Sequence, residues 1–164
     1  MINKSMQEAL NAQVHAELQS SLLYLAMSAY CAAQNFNGFA SWLRLQQHEE
    51  LGHALKLVDY LVDRGGAYAP KGTEASPATF GTPLQIFEKV LEHERHVTTL
   101  VHGLYDKAVA DKDVATQVFL QWYVSEQVEE EAAAQEIVDK LKYVGDRGGG
   151  ILHLDKELGK RGKE

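Results

Sequence analysis

The chain has 164 residues, 45% of them hydrophobic, which is enough for one domain spanning 1–164 with a sizeable core. A formal net charge of -7 opposes a nucleic-acid or anionic-membrane surface and favours attraction of cations. Cys31 is the single cysteine, which excludes an internal disulfide and fits a reducing compartment, so the cytoplasm is expected.

Met1 to Leu10 mix Asn3, Lys4, Ser5, Gln7 and Glu8 with few apolar residues, so no secretory leader is expected there. Ser5-Met6-Gln7-Glu8 matches a capping box and predicts a first helix from Ser5 to near Asn35-Phe36-Asn37-Gly38. Its buried seam runs through Leu10, Gln13, Glu17, Ser20, Tyr24, Met27 and Cys31, which sets a carboxylate near mid-helix and a phenol two turns on. Leu18, Leu22 and Leu25 lie off that seam, a second apolar surface that a partner subunit would cover. Residues 18–43 carry no charge, but Gln19, Ser20, Ser21, Gln34, Asn35, Asn37 and Gly38 interrupt the apolar run, so no membrane span is expected.

The second helix runs from about Gly38 to Arg64 and stops at Gly65-Gly66, with the seam Phe39, Leu43, Gln46, Glu50, His53, Leu57 and Tyr60. A second capping box, Thr82-Pro83-Leu84-Gln85, opens a third helix over about 83–110. Roughly sixteen residues separate these two helices, too many for a tight turn. A helix of about 27 residues is about 40 Å long and the extended segment reaches about 50 Å, so the connection crosses the bundle end to end and makes helices two and three parallel. The third seam is Phe87, Val90, Glu94, Val97, Val101, Leu104 and Ala108. Asp113 caps a fourth helix with the seam Leu120, Tyr123, Gln127, Glu130, Ala134, Ile137, Leu141 and Val144. Gly145 and Gly148-Gly149-Gly150 end it, and Ile151, Leu152, Leu154 and Leu158 give a short fifth helix over about 151–159. The expected fold is all-α: a four-helix bundle over about 5–144 with a long crossover between helices two and three, then a short C-terminal helix.

Glu50 and His53 lie one turn apart on a buried helical face, which is chelating geometry. A buried ionised carboxylate costs several kcal/mol unless it is paired or bound to metal. Counted from their helix starts, Glu17, Glu50, Glu94 and the stretch Gln127 to Glu130 share one level, so four carboxylates and one imidazole aim at one point. Without cations those charges repel strongly. Oxygen donors with one nitrogen suit iron or manganese, and Zn(II) could also bind. Because one carboxylate can bridge two ions, Glu17, Glu50 and His53 are expected on one and Glu50, Glu94 and Glu130 on the other, with Tyr24 and Gln127 as hydrogen-bonding neighbours.

Glu17 with Tyr24, Glu49-Glu50-Leu51-Gly52-His53, Glu94, and Gln121-Trp122-Tyr123-Val124-Ser125-Glu126-Gln127 followed by Glu129-Glu130-Glu131 resemble the bacterial non-haem ferritins over nearly the whole chain. The resemblance implies a ferritin-like bundle assembled as a homo-oligomeric cage of 24 subunits. It implies a di-iron ferroxidase centre within each subunit that oxidises Fe(II) with dioxygen or peroxide and passes Fe(III) to a ferric mineral, for iron storage and detoxification. Glu17, Glu50, His53, Glu94, Glu130, Tyr24 and Gln127 match its catalytic positions, and Glu49, Glu126 and Glu129, with Glu130 shared, match a third iron site. The fifth helix resembles the one lining the fourfold pores.

Bacterioferritins share this fold but carry a second Glu-x-x-His on the fourth helix and a haem-ligating methionine on the second. Gln127-Val128-Glu129-Glu130 and Leu51-Gly52 depart from both, so no haem is expected. Two other classes compete: a DNA-protecting mini-ferritin, to which Lys156, Lys160, Arg161 and Lys163 would supply phosphate contacts, and a substrate-oxidising di-metal enzyme. The complete ligand set within one bundle and the negative charge disfavour the first, and the lack of an added domain disfavours the second. His15, His48, His93, His96, His102 and His153 are expected at the surface, and Trp42 and Trp122 in packing or an interface.

Overall fold

The computed structural model describes residues 1–145 and 148–162, and among them are five helices and no strand. They are α1 (Lys4–Ala33), α2 (Asn37–Asp63), α3 (Pro83–Ala110), α4 (Val114–Val144) and α5 (Gly149–Leu158). None is long and apolar enough to cross a membrane.

Two boundaries differ from the sequence expectation. Asn3, not Ser5, caps α1: its Oδ1 accepts the Met6 N–H at 2.7 Å, and Ser5 lies inside the first turn. Asparagine caps as well as serine does. The choice falls to Asn3 because tertiary bonds hold this end of the chain, Ile2 N–H donating to the Arg64 carbonyl at 3.0 Å and the Asn3 amide donating to Asp111 at 3.2 Å. At the other end Gly145 alone closes α4, with φ 70, whereas Gly149 and Gly150 belong to α5 and start it two residues early. The α3 start follows the sequence: Thr82 and Gln85 cap each other reciprocally behind Pro83.

Short turns make α1 and α2 an antiparallel pair and α3 and α4 another. Asn35 in the first turn and Lys112 in the second take left-handed backbone, with φ 65 and φ 54. The crossover from 64 to 82 is held along α1 by polar side chains at successive steps of four. Gln7 Oε1 accepts from Ala67 N–H, Asn11 brackets Ala67 and Ala69, His15 Nε2 meets the Ala69 carbonyl at 2.9 Å, and Gln19 exchanges two bonds with the Glu74 backbone. Farther on, Gly81 N–H donates to the Tyr30 hydroxyl and Phe80 is buried against the Tyr30 ring. The segment thus runs from the start of α1 to its end, and α3 leaves parallel to α2. His15 is therefore half-buried under the crossover rather than a free surface residue.

The apolar seams form two cores. One holds Met27, Cys31, Phe39, Leu43, Phe87, Val90, Ile137 and Leu141, with Ile151 and Leu154 of α5; the other holds Met6, Leu10, Leu57, Leu61, Val97, Val101, Leu104 and Leu120. Between them lies a layer of buried polar side chains: Gln13, Glu17, Gln46, Glu50, His53, Glu94 and Gln127. Two expected seam residues fall outside. Tyr60 is half-buried, because its hydroxyl meets Thr116 and Arg64 while its ring stacks on Phe119 at 3.8 Å, and Val144, the last residue of α4, is exposed. Burial pushes the Cys31 thiol up to about 12, so it is inert packing.

α5 is anchored on the start of α2. Asp155 Oδ1 accepts the Phe39 N–H at 2.8 Å, supplying a cap that α2 lacks locally. The backbones approach so closely that a Cβ at Gly38 would stand 1.5 Å from the Asp155 carbonyl oxygen. We expect Gly38→Ala to leave α1 to α4 folded while loosening α5 by about 1–3 kcal/mol. Amide hydrogen exchange reads this directly, and unaltered protection across 151–158 would contradict the close packing.

Candidate metal centre

Each long helix delivers acidic or amide groups to the polar layer because each seam substitutes them for an apolar residue at mid-length. Glu17, Glu50 and Glu94 are fully buried, and Glu130 is half-buried. The ligating atoms form two sets that share Glu50: Glu17, Glu50 and His53, and Glu50, Glu94 and Glu130, the atoms of each set lying within 4.8 Å of one another. His53 Nδ1 stands 3.5 Å from Glu50 Oε2. Its ring is fixed edge-on against Trp122 and Tyr123, and the Tyr123 hydroxyl donates to the His53 carbonyl at 2.8 Å.

Three glutamines hold the carboxylates, and two of them repeat one pattern, an amide four residues ahead of a glutamate. Gln13 Nε2 donates to Glu17 Oε1 at 2.8 Å, and Gln46 Nε2 donates to Glu50 Oε1 at 3.2 Å and Glu130 Oε1 at 3.0 Å. Gln127 Nε2 donates to Glu94 Oε2 at 3.2 Å and to the Glu94 carbonyl, so it acts here as a hydrogen-bonding neighbour. Tyr24 donates its hydroxyl proton to Glu94 Oε1 in a short hydrogen bond. Burial and then the Glu94 charge hold that phenol well above its ordinary range, so it keeps its proton.

These donors do not satisfy the acids. Glu17 Oε2 and Glu130 Oε2 are buried with no hydrogen-bond partner. Burial first, and then the charge of a neighbouring glutamate, pushes Glu17 and Glu50 up to about 8 and raises Glu94 and Glu130 as well. Clustered carboxyl groups that resist ionisation, with one unpartnered buried oxygen in each set, fit divalent cations.

Glu49, Glu126 and Glu129 lie beside this layer. With Gln46, Glu130, Ala133 and Arg161 they line a cavity of about 240 Å³. Glu49 is held there by Arg161 at 2.7 Å. His93 was expected at the surface but is half-buried behind the layer. Its Nε2 lies 2.8 Å from Ser20 Oγ, its ring meets Tyr24 edge-on, and burial pushes it down to about 4, which keeps it neutral. Gln13, Gln46 and His93 had a visible signal in sequence, as polar residues on or next to a buried seam, though without an assigned partner.

An antiparallel pair of helical hairpins, a long crossover and a mid-bundle layer of glutamates with one Glu-x-x-His define the class of ferritin-like carboxylate bundles. The ferritin-like domain family matches residues 7–144. The chain belongs to the ferritin family. It is 51% identical over 161 residues to a bacterial non-heme ferritin of Bacteroides fragilis, covering 98% of this chain and 100% of the relative. It is 40% identical over 158 residues to that of Shigella flexneri, covering 96% of each. Among solved structures, a ferritin from the hyperthermophilic archaeon Archaeoglobus fulgidus, described as having a novel open pore, superposes with a TM-score of 0.96 at 46% identity, covering 98% of this chain and 99% of that one.

Raised carboxyl pKa values mean that the folded, metal-free chain holds more protons than the unfolded chain between about pH 4.5 and 8, so its stability falls as pH rises through that window. We expect Glu50→Gln, with chelator present, to be more stable than the parent at pH 8 by roughly 1–3 kcal/mol. The difference should close near pH 5, where the parent carboxyl is protonated. Thermal melts at both pH values check it, and a variant less stable at both would show that the carboxylate is satisfied without a cation.

Proposed function

We propose that this ferritin stores and detoxifies iron by oxidising Fe(II) at the layer between its two cores and passing Fe(III) to a ferric oxyhydroxide mineral inside a cage of 24 subunits. The observation that carries the proposal is the pair of carboxylate sets sharing Glu50, with two buried oxygens left unpartnered. Fe(II) is the substrate. One ion would be held by Glu17, Glu50 and His53 and the other by Glu50, Glu94 and Glu130. Glu49, Glu126 and Glu129 would hold a third with Glu130.

The residues supply position and proton control. As Fe(II) enters, Glu17 and Glu50 give up the protons that burial lets them keep near neutral pH, so binding tightens as pH rises. Two Fe(II) together provide the two electrons that reduce dioxygen to hydrogen peroxide, or hydrogen peroxide to water, with two protons consumed. Gln13, Gln46 and Gln127 fix the carboxylates so that the sites change little as charge accumulates. Tyr24, proton retained, orients Glu94. A mostly oxygen set with one imidazole suits iron, and Zn(II), which such a set could also bind, would occupy it without the redox step.

Exposed Val118, Val128, Tyr143 and Leu152, together with Leu22, give each subunit apolar patches on several sides, as an assembly requires. Bundle and α5 act as one domain over 1–164. The cytoplasm is the compartment this function assigns, and the chain works without haem or nucleic acid.

In aerobic Fe(II) addition followed near 300 nm, Glu50→Ala and His53→Ala should each lower the initial rate by roughly 10–100-fold or more, with the large particle retained on size exclusion. Rates equal to the parent would place the oxidation elsewhere.

A further inference from the structure

Arg161 follows α5 and sits in the mouth of the acidic cavity. Its guanidinium donates to Glu49 Oε2 at 2.7 Å and to Gln46 Oε1 at 3.1 Å, and its flat face covers Trp42 with 4.7 Å between centres. These contacts use both properties that separate arginine from lysine, a planar fork and a stacking face. The position is set by the fold rather than by a loose tail. The Asp155 bond to Phe39 and the Gly38 contact fix α5 on α2, Gly159 passes within 3.1 Å of Gly38 Cα measured from where its Cβ would be, and Lys140 bridges Glu136 and Glu157. α5 therefore delivers Arg161 two turns along α2 from its own anchor, opposite Glu126, Glu129 and Glu130 across the cavity of about 240 Å³.

The contact reaches the buried layer through one side chain. Arg161 takes the oxygen end of the Gln46 amide, which leaves the nitrogen end to donate to Glu50 and Glu130. We propose that Arg161 is a tethered cation that fills the mouth of the acidic cavity when no metal is there, and that an ion binding Glu49, Glu126 and Glu129 must displace it. This rests on the iron-oxidising function above and adds the element that sets when the third position fills. The Arg161 guanidinium already neutralises part of the Glu49 charge that a metal ion would use, and a fixed positive charge at the cavity repels a second cation brought to the same carboxylates. Both effects stabilise the metal-free state over the loaded one, and binding weakens by that difference. The first two ions would be held in the buried layer behind Gln46, where Glu130 is the one ligand they would share with the third.

The test is anaerobic Fe(II) titration of the intact assembly by calorimetry, which reads binding without turnover, on the parent, Arg161→Gln, Arg161→Ala, Arg161→Lys and Glu50→Ala. Arg161→Gln and Arg161→Ala should tighten the weakest of three binding steps about three- to tenfold, with the other two within about twofold, and Arg161→Lys should fall between. Hydrogen exchange in 159–162 should rise in the parent when Zn(II) saturates the assembly. An unchanged weak step, a weak step that loosens in all three Arg161 variants, or tail exchange that stays level or slows would overturn the displacement. Failure of the underlying function looks different: Glu50→Ala would then bind Fe(II) as the parent does, whatever Arg161 does.

Discussion

The mutual repulsion of four glutamates in a layer between two apolar cores is the constraint on which the rest of the structure depends. Their hydrogen-bond partners among the described residues are Gln13, Gln46, Gln127 and Tyr24, and none is a lysine or an arginine. Ligating oxygens lie within 4.8 Å of one another in each set. Two like charges roughly 5 Å apart repel by about 3 kcal/mol at an effective dielectric of about 20, and several such pairs together rival the about 5–15 kcal/mol by which a domain is stable. The layer must therefore hold protons or metal ions. Raised carboxyl pKa values describe the first state, and the two sets sharing Glu50 describe the second.

Everything around the layer serves to hold it in place against that repulsion. The cores clamp it from both ends. The crossover, pinned along α1 through Gln7, Asn11, His15 and Gln19, makes α2 and α3 parallel and so brings Glu50 and Glu94 to the same level from the same direction. On the inner side of each helix the seam carries acids and amides; on the outer side of α1 the step of four carries the crossover. One helix thus organises both the site and the topology.

Much of this was legible in sequence, because period and length suffice to place it. The step of three and four through Gln46, Glu50 and His53 fixes a buried face, and the length of the segment after Gly65-Gly66 fixes the sense of α3. Less legible were features set by contacts between distant segments. Ser5 and Asn3 are equally good caps, and only the bonds of this end to Arg64 and Asp111 choose between them. His93 looks like a surface residue beside a seam, but Ser20 and Tyr24 enclose it from α1. Arg161, one basic residue among several near the end of the chain, gains its place from the Asp155 and Gly38 junction, which no local pattern announces.

The central claim, that the layer is built around two divalent ions, is tested most directly by anomalous diffraction from crystals of this chain loaded anaerobically with Fe(II). The account predicts a pair of peaks in every subunit roughly 3.5–4 Å apart, both touching Glu50, one beside Glu17 and His53 and the other beside Glu94 and Glu130, with a weaker third beside Glu49, Glu126 and Glu129. Iron confined to exposed carboxylates, with the layer carrying no peak and Glu50 still bonded to Gln46 and paired with His53, would contradict it.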